Sequence, residues 1–147
     1  NSIGSIPWVY CFIVNQPGRV PIQTLDNLIY FPDMMPTLAA LAKGTKHLPK
    51  QINGINILPL FYGKQVDTDN RLLYWEFPGK QRAARKGDWK CVTIHPNQPL
   101  ELYNLKEDPE ETNNLAKKYP RRVKEFDEEM QRMHIPTPNW PQPGEQF

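Results

Sequence analysis

The chain has 147 residues, 39% of them hydrophobic, and a net charge of +2. That length holds one core, or one core and a tail, and the low apolar share predicts a modest one. No strong preference for nucleic acid or an anionic membrane follows from the near-balance of basic and acidic residues, and 16 prolines predict many breaks and few long elements.

Residues 6–14 form the longest apolar run, interrupted by Pro7 and Tyr10. It is too short to span a bilayer, and it lacks the basic flank and small-residue cleavage site of a signal peptide. It reads as a buried strand closed by the turn Asn15-Gln16-Pro17-Gly18. The Asn at position 1 is read as the mark of a processed or cut chain. The next segment predicts a helix over 33–43, with Asp33 as N-cap, Pro36 in the tolerant first turn and Gly44 as C-terminal cap. Met34, Leu38 and Leu41, with Met35 and Ala42, make an apolar stripe for a core. Residues 45–54 read as a loop, 55–60 as an apolar run closed by Phe61-Tyr62-Gly63-Lys64, and 65–70 as a polar loop tip.

Leu72 to Phe77 has strong strand propensity and ends at the turn dipeptide Pro78-Gly79. Gln81 to Arg85 reads as a second strand, followed by a Lys86-Gly87-Asp88 turn. Trp89, Cys91 and Thr93 then alternate with Lys90, Val92 and Ile94, which predicts a third. A fourth short extended run covers 100–105. Asp108-Pro109-Glu110-Glu111 reads as a helix start, with Asp108 as cap, Pro109 at the first helical position and Glu111 at capping-box spacing. Pro120 opens a last helix whose Val123, Phe126, Met130 and Met133 share one face. Its basic block, Lys117-Lys118-Tyr119-Pro120-Arg121-Arg122, is followed at once by Glu125 to Glu129 and reads as a solvated face. Pro136 stops the helix, and 136–147 read as an extended Pro-rich tail.

Candidate chemistry is sparse. Cys11 and Cys91 sit in apolar strand-like runs and read as buried free thiols, with a disulfide between them left open. Neither has metal-ligand spacing, and His47, His95 and His134 lie far apart in three elements, so no His-based metal centre is predicted. Glu76, Arg82, Arg85 and Lys90 cluster near Trp75. Arg or Lys can hold a sulfate or carboxylate, and an indole can stack on a sugar face. Hydrolysis needs an activated nucleophile or a metal-bound water beside an acid or base, and no such constellation has local spacing. The competing reading makes Trp75 and Trp89 core aromatics of the small sheet.

Six stretches, taken in order, resemble the C-terminal region of arylsulfatase-type enzymes of the alkaline-phosphatase-like superfamily. They are Ile13-Val14 to Gly18, Asp33-Met34-Met35-Pro36-Thr37-Leu38, Asn53-Gly54-Ile55 to Gly63, Tyr74-Trp75-Glu76, Ala84 to Lys90, and Glu101-Leu102-Tyr103 to Ala116. The resemblance covers roughly residues 12–134. It implies an α+β fold, with a small antiparallel sheet of about four strands packed by a C-terminal helix. An N-terminal strand and helix would come from the edge of a larger α/β domain. On this reading 1–64 is the truncated edge of a catalytic domain, 65–135 the C-terminal subdomain and 136–147 the tail.

The resemblance also implies hydrolysis of a sulfate ester by the full-length enzyme, with formylglycine and calcium as its cofactors. It implies a periplasmic, secreted or lysosomal setting. Yet neither Cys11 nor Cys91 begins the family's Cys/Ser-x-Pro-x-Arg motif, and the acidic calcium pairs are missing. The chain is therefore expected to be inactive alone, to partner a missing N-terminal catalytic portion, and to self-associate through exposed apolar surface. No nucleic acid and no membrane span are expected. Residues 75–82 are expected to line the substrate pocket: Trp75 as stacking surface, Glu76 accepting a sugar hydroxyl, Gln81 beside it and Arg82 as ion partner. Asp108, Glu111 and Trp89 are assigned structural roles. The alternative is a stand-alone interaction or structural module without hydrolase activity.

Overall fold

The computed structural model describes residues 13–14, 18–77, 81–95 and 98–139. They fall into two compact units that divide between Asp69 and Asn70. The strand expected over 6–14 lies outside the described residues except for Ile13 and Val14, which are exposed and not in a strand.

In the first unit, a 3-10 turn at Phe31–Asp33 leads into helix α1, Met34–Leu41, and a four-residue helix α2 follows at Leu58–Phe61. Asp33 precedes α1 as expected but does not cap it with its side chain. Its fully buried carboxylate is used across the fold instead. Oδ2 accepts from the Tyr30 backbone N–H at 3.0 Å and Oδ1 from that of Ile55 at 2.9 Å. One turn on, the Thr37 hydroxyl donates to the Asp33 carbonyl at 2.6 Å and accepts from the Ile57 N–H at 3.0 Å. The Asp-x-x-Pro-Thr and Asn-Gly-Ile stretches are thus two halves of one hydrogen-bonded joint. Gly54 permits it, because a Cβ there would lie 2.0 Å from the Pro32 carbonyl oxygen.

Two further expectations for α1 are corrected. The helix ends in a Schellman arrangement, with Gly44 N–H bonding Ala39 O at 2.7 Å and Lys43 N–H bonding Ala40 O at 3.1 Å. The left-handed position falls on Lys43, at φ 56°, and not on Gly44. The apolar stripe also faces the other way. The polar joint turns Pro36 and Thr37 inward, leaving Met35, Leu38 and Leu41 more than half exposed.

The second unit is a four-stranded antiparallel sheet in the order β1 (Leu73–Phe77), β2 (Gln81–Lys86), β3 (Trp89–Thr93), β4 (Glu101–Asn104). Gly87, at φ 55°, makes the tight β2–β3 turn. The register aligns Tyr74, Ala84, Cys91 and Leu102 in one cross-strand row. Helix α3, Pro120–Met133, lays Phe126 and Met130 into the same core. Burial of each of these two side chains contributes about 1.5–3 kcal/mol. The helix stops at Met133, two residues short of Pro136's direct neighbour, and the His134 N–H still bonds the Met130 carbonyl at 3.1 Å.

The helix expected from Asp108 does not form; residues 108–116 are turns and bends. The Asp108 carboxylate reaches too far along the chain for a helical cap. Oδ1 accepts from the Thr112 N–H and hydroxyl, and Oδ2 from the Asn113 N–H at 2.8 Å. Glu111 sits at φ 56°, which breaks any helix, so it closes no capping box. Beyond it, Leu115 N–H bonds Leu102 O at 2.7 Å and Asn114 Oδ1 accepts from the Leu102 N–H at 3.2 Å. The segment is pinned along the edge of β4, a path that a helix cannot follow.

Candidate functional site

The β1–β2 hairpin carries the residues singled out for substrate contact. Its register pairs Trp75 with Ala83, Glu76 with Arg82 and Phe77 with Gln81. Successive strand residues point to opposite faces. Glu76 and Arg82 therefore share the face covered by α3 with Tyr74 and Ala84, while Trp75, Phe77 and Gln81 share the other. The four candidates Trp75, Glu76, Gln81 and Arg82 are neighbours along the hairpin but are split between the two sides of the sheet.

On the α3 side, Glu76 Oε1 accepts from the Tyr74 hydroxyl and lies 2.7 Å from His134 Nδ1. The His134 and Glu76 side chains are only 11% and 17% exposed, so this cluster is largely shielded from water. Burial first, and then the bond to Glu76, push the Tyr74 hydroxyl well above the usual phenol range. Arg82 Nη2 faces Asp127 Oδ1 at 3.4 Å. The hairpin is thus fixed to α3 at Asp127 and just beyond its end at His134. His134, Asp127 and Tyr74 were not among the sequence candidates. His134 lies 58 residues from its partner and Asp127 lies 45 from its own, so no local pattern signals either pair.

On the other face, Lys90 Nζ meets both Glu111 oxygens at 2.5 and 2.7 Å, with the Glu111 side chain 7% exposed. Glu111 is therefore a nearly buried ion partner that ties the post-β4 turn to the sheet. Asp108 organises the same turn, and the backbone N–H groups of Asn113 and then Thr112 hold its carboxyl below the usual range. Back on the α3 face, Trp89 packs edge-on against Tyr119, centroids 5.3 Å apart, with the Arg122 guanidinium 4.3 Å above its ring.

Cys91 is a free, fully buried thiol beneath α3. Burial, followed by the nearby Asp127 charge, pushes it up to about 12. It is not followed by a Pro-x-Arg sequence; Cys11 lies outside the described residues. Among the described residues, no group of three or more His, Cys, Asp or Glu could hold a metal ion. No described helix is long and apolar enough to cross a membrane.

Residues 8–135 match the family described as N-sulphoglucosamine sulphohydrolase, C-terminal. The chain belongs to this sulfatase C-terminal family. An uncharacterized protein of Haemophilus influenzae is 33% identical over 134 residues, covering 84% of this chain and 67% of that one. An ulvan-active sulfatase of Formosa agariphila is 26% identical over 142 residues, covering 71% and 28%. A solved sulfatase structure, titled for the metabolism of multiple glycosaminoglycans by Bacteroides thetaiotaomicron, aligns at TM-score 0.56 with 27% identity. That alignment covers 68% of this chain and 24% of that one. The sulfatase C-terminal chain thus spans about a quarter of these two sulfatases.

Proposed function

We propose that this chain is the C-terminal portion of a sulfatase that acts on a sulfated polysaccharide, and that it is inactive alone. The observation that carries this reading is the family match over 8–135 by a chain spanning about a quarter of its sulfatase relatives. The polysaccharide class is taken from relatives described as ulvan-active or concerned with glycosaminoglycans. In a full-length sulfatase, formylglycine would supply the nucleophile and calcium a positive charge. The described residues here fit neither group, so both belong to the N-terminal catalytic portion, which is this chain's partner. On this reading residues 1–64 belong to the edge of that catalytic domain and 65–135 form the sulfatase C-terminal subdomain.

This chain's own contribution is positioning. The Glu76–His134 and Arg82–Asp127 contacts hold the β1–β2 hairpin against α3. That fixes the backbone from which Trp75 and Gln81 project on the opposite face. On this reading Trp75 stacks on a sugar ring and the Gln81 amide bonds a hydroxyl or sulfate oxygen at the pocket entrance. Glu76 and Arg82 then act through the hairpin they hold.

The test has two parts. The isolated chain should not turn over an aryl sulfate, and turnover would overturn the assignment of the reaction centre to the missing portion. In the full-length enzyme, Trp75→Ala should lower kcat/KM on the polysaccharide roughly five-fold, corresponding to about 1 kcal/mol of lost stacking. It should leave a small aryl sulfate unaffected. Unchanged kinetics on both substrates would return Trp75 to a packing role in the sheet.

A further inference from the structure

Lys117, Lys118, Arg121 and Arg122 are exposed and lie within six residues, on the turn before α3 and in its first turn. Among the described residues none of them forms an ion pair. Other described cations do have acid partners, among them Arg82 with Asp127, Lys90 with Glu111, and on α3 itself Lys124 with Glu128 and Arg132 with Glu129. The two α3 pairs occupy Glu128 and Glu129, two of the acids that make this block look self-neutralised in sequence. No acid stands in the first turn of α3, where the helix dipole would favour one over two arginines.

Two of the four cations are also held in place. Arg122 lies 4.3 Å above the Trp89 ring and Lys118 5.3 Å above Tyr119, and the two rings pack edge to face. A cation held over an aromatic ring keeps N–H donors available for an oxyanion. Lys86, also exposed, stands opposite Trp89 across the β2–β3 hairpin and adds a fifth charge.

We infer that this patch — Lys86, Lys117, Lys118, Arg121 and Arg122 — is a docking surface for a sulfated polysaccharide chain. The inference rests on the proposed function for its choice of polyanion. The stacking supplies a reason of its own. Single-stranded nucleic acid is gripped by aromatic faces on which bases stack, whereas here the Trp89 and Tyr119 faces carry cations. Sulfate groups need only charge and N–H donors. Beside the patch, Lys118 and Tyr119 also border a hollow lined by Glu107 and Asp108. Those carboxylates repel sulfate, so the polyanion runs over the basic side of Lys118, along Lys117, Arg121, Arg122 and Lys86.

The experiment measures binding of a sulfated glycosaminoglycan oligosaccharide to the whole protein across a salt series. A neutral dextran oligomer and a single-stranded DNA of similar charge serve as comparison ligands. Lys117→Ser with Arg121→Ser removes two cations that touch no ring. Lys46→Ser with Lys50→Ser, on exposed residues of the first unit, removes the same charge elsewhere. The patch variant should bind the glycosaminoglycan about ten-fold more weakly, with a log Kd–log salt slope shallower by roughly 1.4, two cations at about 0.7 each. The control pair should match the unaltered protein, and dextran should not bind. Equal weakening by both pairs, or none by the patch pair, would overturn the inference, as would tighter binding of DNA through the same residues.

Turnover of a small aryl sulfate by the full-length enzyme, of which this chain is the proposed C-terminal portion, separates the two readings. Patch-dependent glycan binding without any turnover sinks the sulfatase proposal and leaves the surface standing. Turnover with patch-independent binding does the reverse.

Discussion

Replacing Gly54 by Ala should open the first unit at its polar joint. The added Cβ would stand 2.0 Å from the Pro32 carbonyl oxygen, 2.4 Å from its carbon and 2.9 Å from the Asp33 nitrogen. All three are backbone atoms, so no side chain can swing aside. Carbon and oxygen settle at about 3.3–3.6 Å, so the two backbones must part by more than 1 Å on this estimate. The bond from Ile55 N–H to Asp33 Oδ1, now 2.9 Å, and that from Ile57 N–H to the Thr37 hydroxyl, now 3.0 Å, would both be lost. A bond to a buried charged group is worth about 1.5–3 kcal/mol and a neutral one about 1 kcal/mol, so the change should cost roughly 2.5–4 kcal/mol. Amide hydrogen exchange reads this locally: Ile55 and Ile57 should exchange about a hundred-fold faster or more. Gly63→Ala is the control. Gly63 sits at φ 73° with nothing within 4 Å of a Cβ, so it should cost only about 1 kcal/mol of backbone strain and leave both amides protected. Unchanged exchange at Ile55 and Ile57 in Gly54→Ala would refute the close approach.

Three further outcomes follow from the same geometry. Glu111→Ala should lower the urea midpoint by the equivalent of about 2–3 kcal/mol. That is less than for a fully buried pair, because Lys90 keeps some water, and an unchanged midpoint would refute the ion-pair account; Glu111→Gly should recover about 1 kcal/mol of that loss by relieving the positive φ, and the opposite order would refute the backbone strain. Asp108 is held below its ordinary value of 3.8, so its stabilisation is present above that value and lost as pH falls through the depressed one. Asp108→Asn should therefore melt below the unaltered protein at neutral pH and converge with it in strong acid, and a constant gap across the titration would show that the carboxylate charge is irrelevant. Phe31, Met35, Leu38 and Leu41 form an exposed apolar row on and just before α1, so the isolated chain should self-associate and Met35→Lys with Leu38→Lys should suppress it; a monodisperse wild-type monomer in light scattering over a wide concentration range would contradict this.

The sequence by itself determined the elements whose signals are local. The four strands could be read because alternation and turn residues act over two to six positions. Lys86-Gly87-Asp88 marks the β2–β3 turn, and Trp89, Cys91 and Thr93 mark one face of β3. Helix α3 could be read because Pro120 and the spacing of Phe126 and Met130 describe an amphipathic cylinder whatever it packs against. Family membership was legible for a related reason, since it rests on the order of short motifs.

Only the tertiary structure decided how polar side chains are used, because their partners lie far away in the chain. Asp33 has the residue type and position of a helix cap. Burial makes it worth more as the acceptor for Tyr30 and Ile55, and that choice turns the apolar stripe of α1 outward. Asp108-Pro109-Glu110-Glu111 has every local mark of a helix start, yet Leu102 captures the backbone at Leu115 and Lys90 captures the Glu111 carboxylate. The cluster expected around Trp75 divides for an equally simple reason. Consecutive strand residues face opposite ways, and α3 covers only one of the two faces.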